Sequence, residues 1–277
     1  MISEKVCLEV MEAMKTAGAR MLDAHPGRNE VHKKEGRANF VTDYDVANQR
    51  FLETAFREIL PDATFLGEEN TGRERIRSLP DGLLWIVDPI DGTTNFMYGY
   101  DFSTISVGLA LDGRMEAGFV FNPYRQDMYH AVRGQGAFRN GECLSPLTGG
   151  VEDGIVAFGC AGYNEEHTEV LFQALQMLYH RAPAIRSGGS AAWDLARIAG
   201  GCNGVYLEML LQPWDYAAAS LIIEETGGVI TQMDGTPVSL IRPSSVVAGT
   251  PQAQAETLRI VQACRNADGT RKGEKGC

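Results

Sequence analysis

The stretch Leu83-Leu84-Trp85-Ile86-Val87 runs without a break into Asp88-Pro89-Ile90-Asp91-Gly92-Thr93-Thr94-Asn95-Phe96. Five consecutive apolar residues bounded by polar ones read as a strand buried on both faces, and this one delivers a carboxylate at its end. Pro89 fixes its own φ and offers no N–H, so the spacing predicts a turn that brings Asp91 back beside Asp88. Gly92 and Thr93-Thr94 then suit the opening of a helix whose free N–H groups face outward. Two carboxylates held together repel, and both stay ionised only where cations sit between them. A bare D-x-x-D-G also occurs in solvated turns, so the rest of the chain has to supply the context.

Two further acidic segments do so. Gly67-Glu68-Glu69-Asn70 follows a short apolar strand at Thr64–Leu66, which would stand Glu68 and Glu69 beside the first pair at one edge of a sheet. Gln212-Pro213-Trp214-Asp215 precedes the apolar helix Tyr216–Thr226, with Asp215 read as its N-cap. A capping carboxylate can also serve a cation if its second oxygen is left over. All these donors are oxygens, which suits Mg²⁺ and removes zinc from contention. The six cysteines form no C-x-x-C pair and read as reduced thiols. No G-x-S-x-G is present, so covalent serine catalysis is not supported.

Elsewhere the patterning is mixed. Helical spacing marks Glu4–Leu22 and Val46–Leu60, and period-two alternation from Phe102 to the Asn140-Gly141 turn reads as an antiparallel meander. Past Pro146 the pattern changes to alternating units. Strands are expected near Ile155–Phe158, Val205–Leu207, Val229–Thr231 and Val246–Ala248, and helices near Glu166–Tyr179, Ser190–Ala199 and Ala253–Ala263. The expectation is an α+β chain with an N-terminal α+β subdomain over 1–145, a C-terminal α/β subdomain over 146–265 and an unstructured polar tail over 266–277. With 277 residues of which 44% are hydrophobic, a sizeable core needs no disulfides. A net charge of −11 argues against nucleic acid or an anionic membrane as partner. No window of about 18 apolar residues is present, so a soluble cytoplasmic protein is expected.

Taken together, Gly67-Glu68-Glu69, the Asp88–Phe96 string and Trp214-Asp215 with Gly227-Gly228 downstream resemble the inositol monophosphatase family in order and spacing, over about Met11 to Ala248. The resemblance implies a Mg²⁺-dependent, lithium-sensitive phosphomonoesterase with alternating αβαβα layers of the inositol monophosphatase and fructose-1,6-bisphosphatase type, usually a homodimer. Carried over by motif, Glu68, Asp88 and the carbonyl of Ile90 would hold one ion; Asp88, Asp91 and Asp215 would hold a second, and a third would sit near Glu68. Glu69 is similar to a carboxylate that supports this set from behind. Thr93 would orient or help deprotonate the attacking water, with Asp45, in Val41-Thr42-Asp43-Tyr44-Asp45, as its partner. Asp43 and Tyr44 depart from the small or hydroxylated residues of some members. Such ions would also explain how an acidic chain attracts an acidic substrate.

On the substrate side the resemblance points to Gly92, Thr93 and Thr94 and to the loop Gly189-Ser190-Ala191. Asp91 and Asp215 would also touch the substrate there. Local sequence alone reads that loop as ordinary strand-to-helix punctuation. Glu208 would accept from ring hydroxyls of an inositol-like substrate, where its local sequence suggests a strand-end surface residue. Lys34 is similar to a lysine of the family's first loop. Members acting on 3′-phosphoadenosine 5′-phosphate tend to carry Lys-Glu after Asp-Gly-Thr, whereas this chain has Thr94-Asn95, closer to the inositol phosphatase branch. Fructose-1,6-bisphosphatase and histidinol-phosphatase activities stay open, as does a non-catalytic partner-binding role on the same scaffold.

Overall fold

Period-two alternation between Thr104 and Arg139 builds most of a seven-stranded sheet, as strands with one face on each of two cores require. The computed structural model describes residues 2–24, 31–33, 40–69, 78–160 and 168–274. Helix α1 (Glu4–Asp23) is followed by a small hairpin, β1 (Val31–Lys33) and β2 (Phe40–Thr42), and by α2 (Asp43–Ile59). The large sheet then forms from β3 (Thr64–Gly67), β4 (Leu83–Asp91), β5 (Thr104–Leu111), β6 (Arg114–Asn122), β7 (Asp127–Val132), β8 (Ala137–Arg139) and β9 (Glu142–Cys143), with the short α3 (Thr93–Met97) between β4 and β5. Its strands lie in sequence order; β3 pairs parallel with β4 and the rest are antiparallel. The turns at Asp112-Gly113 and Asn140-Gly141 have positive φ at both residues, as a two-residue hairpin connection demands.

The second half alternates as its sequence suggests: β10 (Ile155–Phe158), α4 (Thr168–Tyr179), β11 (Ile185–Arg186), α5 (Ala191–Ala199), β12 (Asn203–Leu211), α6 (Pro213–Glu225), β13 (Val229–Thr231), β14 (Ser244–Gly249) and α7 (Pro251–Glu274). Its five strands are ordered β11-β10-β12-β14-β13 and are also mixed, parallel among β10, β11 and β12 and antiparallel around β14. The last helix runs well past the Ala263 limit expected for it, through residues read as an unstructured tail. Apolar periodicity stops near Cys264, where Ile260, Val261 and Cys264 anchor the helix on the core, and no proline beyond them ends it.

Three apolar cores fix the layering. The first lies between α1, α2 and the large sheet, where Phe56 stacks on Trp85 with ring centroids 4.6 Å apart. The second joins the large sheet (Leu84, Ile86, Val120) through α5 and α6 to the small sheet (Tyr206, Val246), and the third holds α4 and α7 on the small sheet's far side. The result is the αβαβα sandwich. Helix α6 has buried residues all round, from Pro213 to Ile223, because it lies between two sheets. That is why its sequence is almost wholly apolar after Asp215.

Candidate active site

Strand β4 does not turn at Pro89. It continues to Asp91, with Asp88 opposite Ser106 and Asp91 opposite Thr104 on β5, so three steps along β4 match two along β5. The extra residue is a β-bulge, and Pro89 is tolerated there because a bulge leaves one residue out of the ladder. In a regular strand residues three apart face opposite sides; the bulge returns Asp91 to the face of Asp88. The expected convergence is therefore achieved by a bulge in place of a turn. Asn48 of α2 donates to the Pro89 carbonyl (3.3 Å) and secures it. Gly92 follows in the left-handed region at φ 85°, capping α3, and a side chain there would meet the Gly189 carbonyl.

The third carboxylate arrives from α6. Gln212 is the N-cap, Pro213 opens the helix and Asp215 is the third helical residue, so the expected N-cap role is displaced by three positions. Asp215 reaches back to accept the Gln212 N–H through Oδ2 (2.7 Å), the reciprocal half of a capping box. Ser106, the β5 residue opposite Asp88, donates to the Trp214 carbonyl (2.9 Å) and ties the start of α6 to the sheet. Ligand oxygens of Asp88, Asp91 and Asp215 consequently lie within 4.8 Å of one another.

Glu68 comes in from the edge strand: the parallel pairing of Gly67 with Val87 continues as Glu68 N–H to Val87 carbonyl (3.2 Å). The next amide, Glu69 N–H, donates to Gln49 Oε1 of α2 (2.8 Å). Thr93 Oγ1 lies 3.0 Å from Asp45 Oδ1 and 3.2 Å from the Ile90 carbonyl, either of which can accept its one proton. The fully buried Asp45 also accepts from the Thr42 amide and hydroxyl through Oδ2, in the capping box that starts α2. Asp45 is thus the aspartate beside Thr93. Asp43 points elsewhere, to the His32 ring at 3.0 Å, and Tyr44 packs edge-on against Phe96 of α3. The departure at Tyr44 therefore has a packing role.

The substrate-loop residues behave differently from expectation. Ser190 is buried and caps α5, and its hydroxyl donates to Asp91 Oδ2, which also accepts the Ala192 amide (2.8 Å). Thr104 Oγ1 is 3.1 Å from Ser190 Oγ and 3.4 Å from Asp91 Oδ2. The Ser190 hydroxyl is thus committed to Asp91, and Asp91 is a buried, hydrogen-bonded group. Gly189 and Thr94 are exposed, and Ala191 contributes its amide to Asp91. Glu208 lies within β12, only 6% exposed, and accepts the Tyr206 hydroxyl at 2.5 Å, so it is not a surface residue at a strand end. Lys34 lies outside the described residues.

Burial and mutual repulsion set the electrostatics. Burial, then the charges of Glu68, Asp91 and Asp215, hold the Asp88 carboxyl well above its usual range; burial, then Asp91 and Glu68, does the same to Asp215. Burial also raises Asp91, against the opposing pull of its Ser190, Ala192 and Thr104 donors. Asp194 of α5 is pushed up to about 7 by burial. Each of these groups binds its proton more tightly folded than unfolded, so folding takes up protons between the ordinary carboxylate range and the raised values. The stability of the cation-free protein therefore falls as pH rises through about 7. Thermal unfolding in EDTA should show a Tm at least roughly 2–4 °C higher at pH 6 than at pH 8, with Mg²⁺ restoring the loss at pH 8. Equal Tm values at the two pH values in EDTA would show that the cluster carries no such strain.

The family model for the inositol monophosphatase family matches residues 3–266. The chain belongs to the inositol monophosphatase family. Inositol-1-monophosphatase of Bacillus subtilis (strain 168) is 35% identical over 239 residues, covering 86% of this chain and 89% of the relative. Nus factor SuhB of Escherichia coli (strain K12) is 31% identical, covering 79% and 81%. Among solved structures, SaIMPase-II with inositol monophosphate bound superposes with a TM-score of 0.79 at 26% identity over 97% of this chain and 98% of the other. The Thermotoga maritima IMPase gives 0.83 at 26% identity over 96% and 99%.

The acidic set fits a divalent cation on its own chemistry. Three carboxylates within 4.8 Å, two of them buried, have only oxygen ligands to offer and are destabilised by one another without positive charge. Asn48, Gln49, Thr104 and Ser106 hold this acidic site in place without belonging to its motifs. Their signal in the sequence is slight: polar residues in an otherwise apolar α2 face, and two hydroxyls two apart on one face of β5. Among the described residues the five cysteines form no disulfide, and no helix is long and apolar enough to cross a membrane.

Proposed function

We propose that this protein is a Mg²⁺-dependent phosphomonoesterase that releases phosphate from inositol monophosphate or a related sugar or polyol phosphate by direct attack of water. The observation that carries the reading is the meeting of the Asp88, Asp91 and Asp215 carboxylates beside a threonine hydroxyl backed by a buried carboxylate, Asp45. Asp88, Asp91, Asp215, Glu68 and the Ile90 carbonyl would hold two to three ions. Bound Mg²⁺ supplies charge neutralisation at the phosphate oxygens and acidifies water. Thr93, donating its proton to Asp45, turns its lone pairs outward and accepts a proton-bearing water; Asp45 in turn can draw the proton away through the same hydroxyl. Glu69 supports the Glu68 loop through its amide contact with Gln49. Phosphoryl transfer needs little more than such positioning and charge balance.

Gly92, Thr93, Thr94, Gly189 and Ala191 would border the ester, and Glu208 would accept from its ring hydroxyls. The Tyr206 hydroxyl donates to Glu208 and fixes the orientation of its carboxylate. Glu208→Ala is expected to lower kcat/KM for inositol 1-phosphate about 10-fold or more while changing a small generic ester less than about threefold. Steady-state kinetics on both substrates checks this, and equal losses would remove Glu208 from specificity. Inositol phosphate is favoured over 3′-phosphoadenosine 5′-phosphate by Thr94-Asn95, and over fructose 1,6-bisphosphate and histidinol phosphate by Glu208 and by the bound ligand in the SaIMPase-II structure. The test is a panel of these esters with 3′-phosphoadenosine 5′-phosphate, in Mg²⁺, in EDTA and with added Li⁺. The reading expects inositol 1-phosphate to rank first and Li⁺ to inhibit; no turnover on any ester would overturn it.

A homodimer in a reducing cytoplasm completes the proposal, with a small phosphate ester, and neither nucleic acid nor membrane, as the partner. The non-catalytic alternative has one specific support, the SuhB relative named as a Nus factor. The retained Thr93–Asp45 pair favours catalysis, since a binding scaffold has no use for a hydroxyl backed by a buried acid.

A further inference from the structure

The peptide at Gly188 is gripped from two sides. Its carbonyl accepts Asn95 Nδ2 of α3 at 2.8 Å, and the same amide group also donates to the Phe102 carbonyl at 3.1 Å. Its N–H donates to Asp194 Oδ2 of α5 at 3.0 Å. The approach is close enough that a Cβ at Gly188 would fall 2.5 Å from that oxygen, so glycine is the residue that lets the carboxylate sit over the backbone. Asp194 is itself held: it is 3% exposed, its amide donates to the Ser190 carbonyl (3.0 Å), and its carbonyl accepts Asn203 Nδ2 of β12 (2.9 Å). The residues that follow Gly188 are the ones that grasp Asp91, through the Ser190 hydroxyl and the Ala192 amide. A buried carboxylate with no part in the chemistry thus fixes the start of the segment 188–192, which ends on a member of the acidic cluster.

We propose that Asp194 is a positioning residue: by holding the Gly188 amide it sets the turn that presents Ser190 and Ala192 to Asp91, and so keeps Asp91 aimed into the cation site. Only the last step rests on the metal-dependent reading above; the clamp itself does not. Loss of the clamp would leave Gly188 held at its carbonyl by Asn95 but not at its amide, and let the donors to Asp91 drift. An asparagine at 194 keeps an acceptor oxygen in the same place, so the clamp depends on a hydrogen bond and not on charge.

The test compares the full-length protein with Asp194→Ala and Asp194→Asn, using hydrogen exchange over residues 187–192 and calorimetric Mg²⁺ binding, with Tm as the control for folding. Asp194→Ala is expected to speed exchange at Gly188 to Ser190 and to weaken Mg²⁺ binding, each about 10-fold, and Asp194→Asn to stay within about threefold in both. If Asp194→Ala does not fold, Asp194→Ser takes its place. A folded Ala or Ser variant with exchange unchanged would overturn the proposal, as would an Asn variant that loses as much as Ala. A parent protein that binds no Mg²⁺ would defeat the metal-dependent reading instead, and exchange alone would still decide whether Asp194 clamps the turn.

Discussion

Asp88→Asn is expected to reduce the rate of phosphate release about 10³-fold or more while leaving the cation-free protein as stable as the parent, or more so. The two halves of this expectation come from one property. Asp88 is 2% exposed and lies against Glu68, Asp91 and Asp215, so its charge is costly in an empty site and needed in a filled one. Asparagine keeps the acceptor for the Ile90 amide, which Asp88 Oδ1 receives at 3.0 Å, so the bulge itself survives. Asp91→Asn would be a less clean probe: it sets a new donor against the Ser190 hydroxyl and the Ala192 amide and disturbs the loop along with the charge. Initial rates at saturating Mg²⁺ and thermal unfolding in EDTA read the two effects separately. A variant that is both active and less stable would make Asp88 a structural acid.

Thr93→Ala should cost about 10² to 10⁴ in kcat with KM little changed, whereas Thr93→Ser should keep most of the rate. The hydroxyl sits between Asp45 and the Ile90 carbonyl, and its methyl group is not part of that network. Removing the hydroxyl leaves Asp45 held by Thr42 and takes away its link through Thr93 to a water near the cluster. A serine variant as slow as alanine would show that Thr93 acts by packing, and an alanine variant at parental rate would remove the pair from the mechanism.

The acids of the site were legible because each stands where an apolar segment ends: Glu68 after β3, Asp88 and Asp91 at the end of β4, Asp215 at the start of α6. The means of convergence was less legible. Proline suits both a turn and a bulge, and only the register with β5 shows which one occurs. Ser106 and Thr104 look like ordinary strand hydroxyls until the pairing sets them opposite Asp88 and Asp91. Glu208 interrupts an apolar run, which made the strand seem to end at Leu207; in the fold β12 carries on to Leu211, and Tyr206 satisfies the acid inside it. The Ser190 hydroxyl looked available for a substrate because its partner, Asp91, is 99 residues away in the chain. Patterning alone showed a meander in one half and alternating units in the other; the layer order came with the family resemblance. The C-terminal extent of α7 was not, since polar residues that extend an existing helix leave no periodic trace.

The most direct measurement is phosphate release from inositol 1-phosphate by protein stripped with EDTA and then titrated with Mg²⁺. The account predicts no release above background before Mg²⁺ is added and a saturable rise afterwards. Release at full rate in EDTA would mean that Asp88, Asp91 and Asp215 assemble for some purpose other than holding the cations that bind the ester.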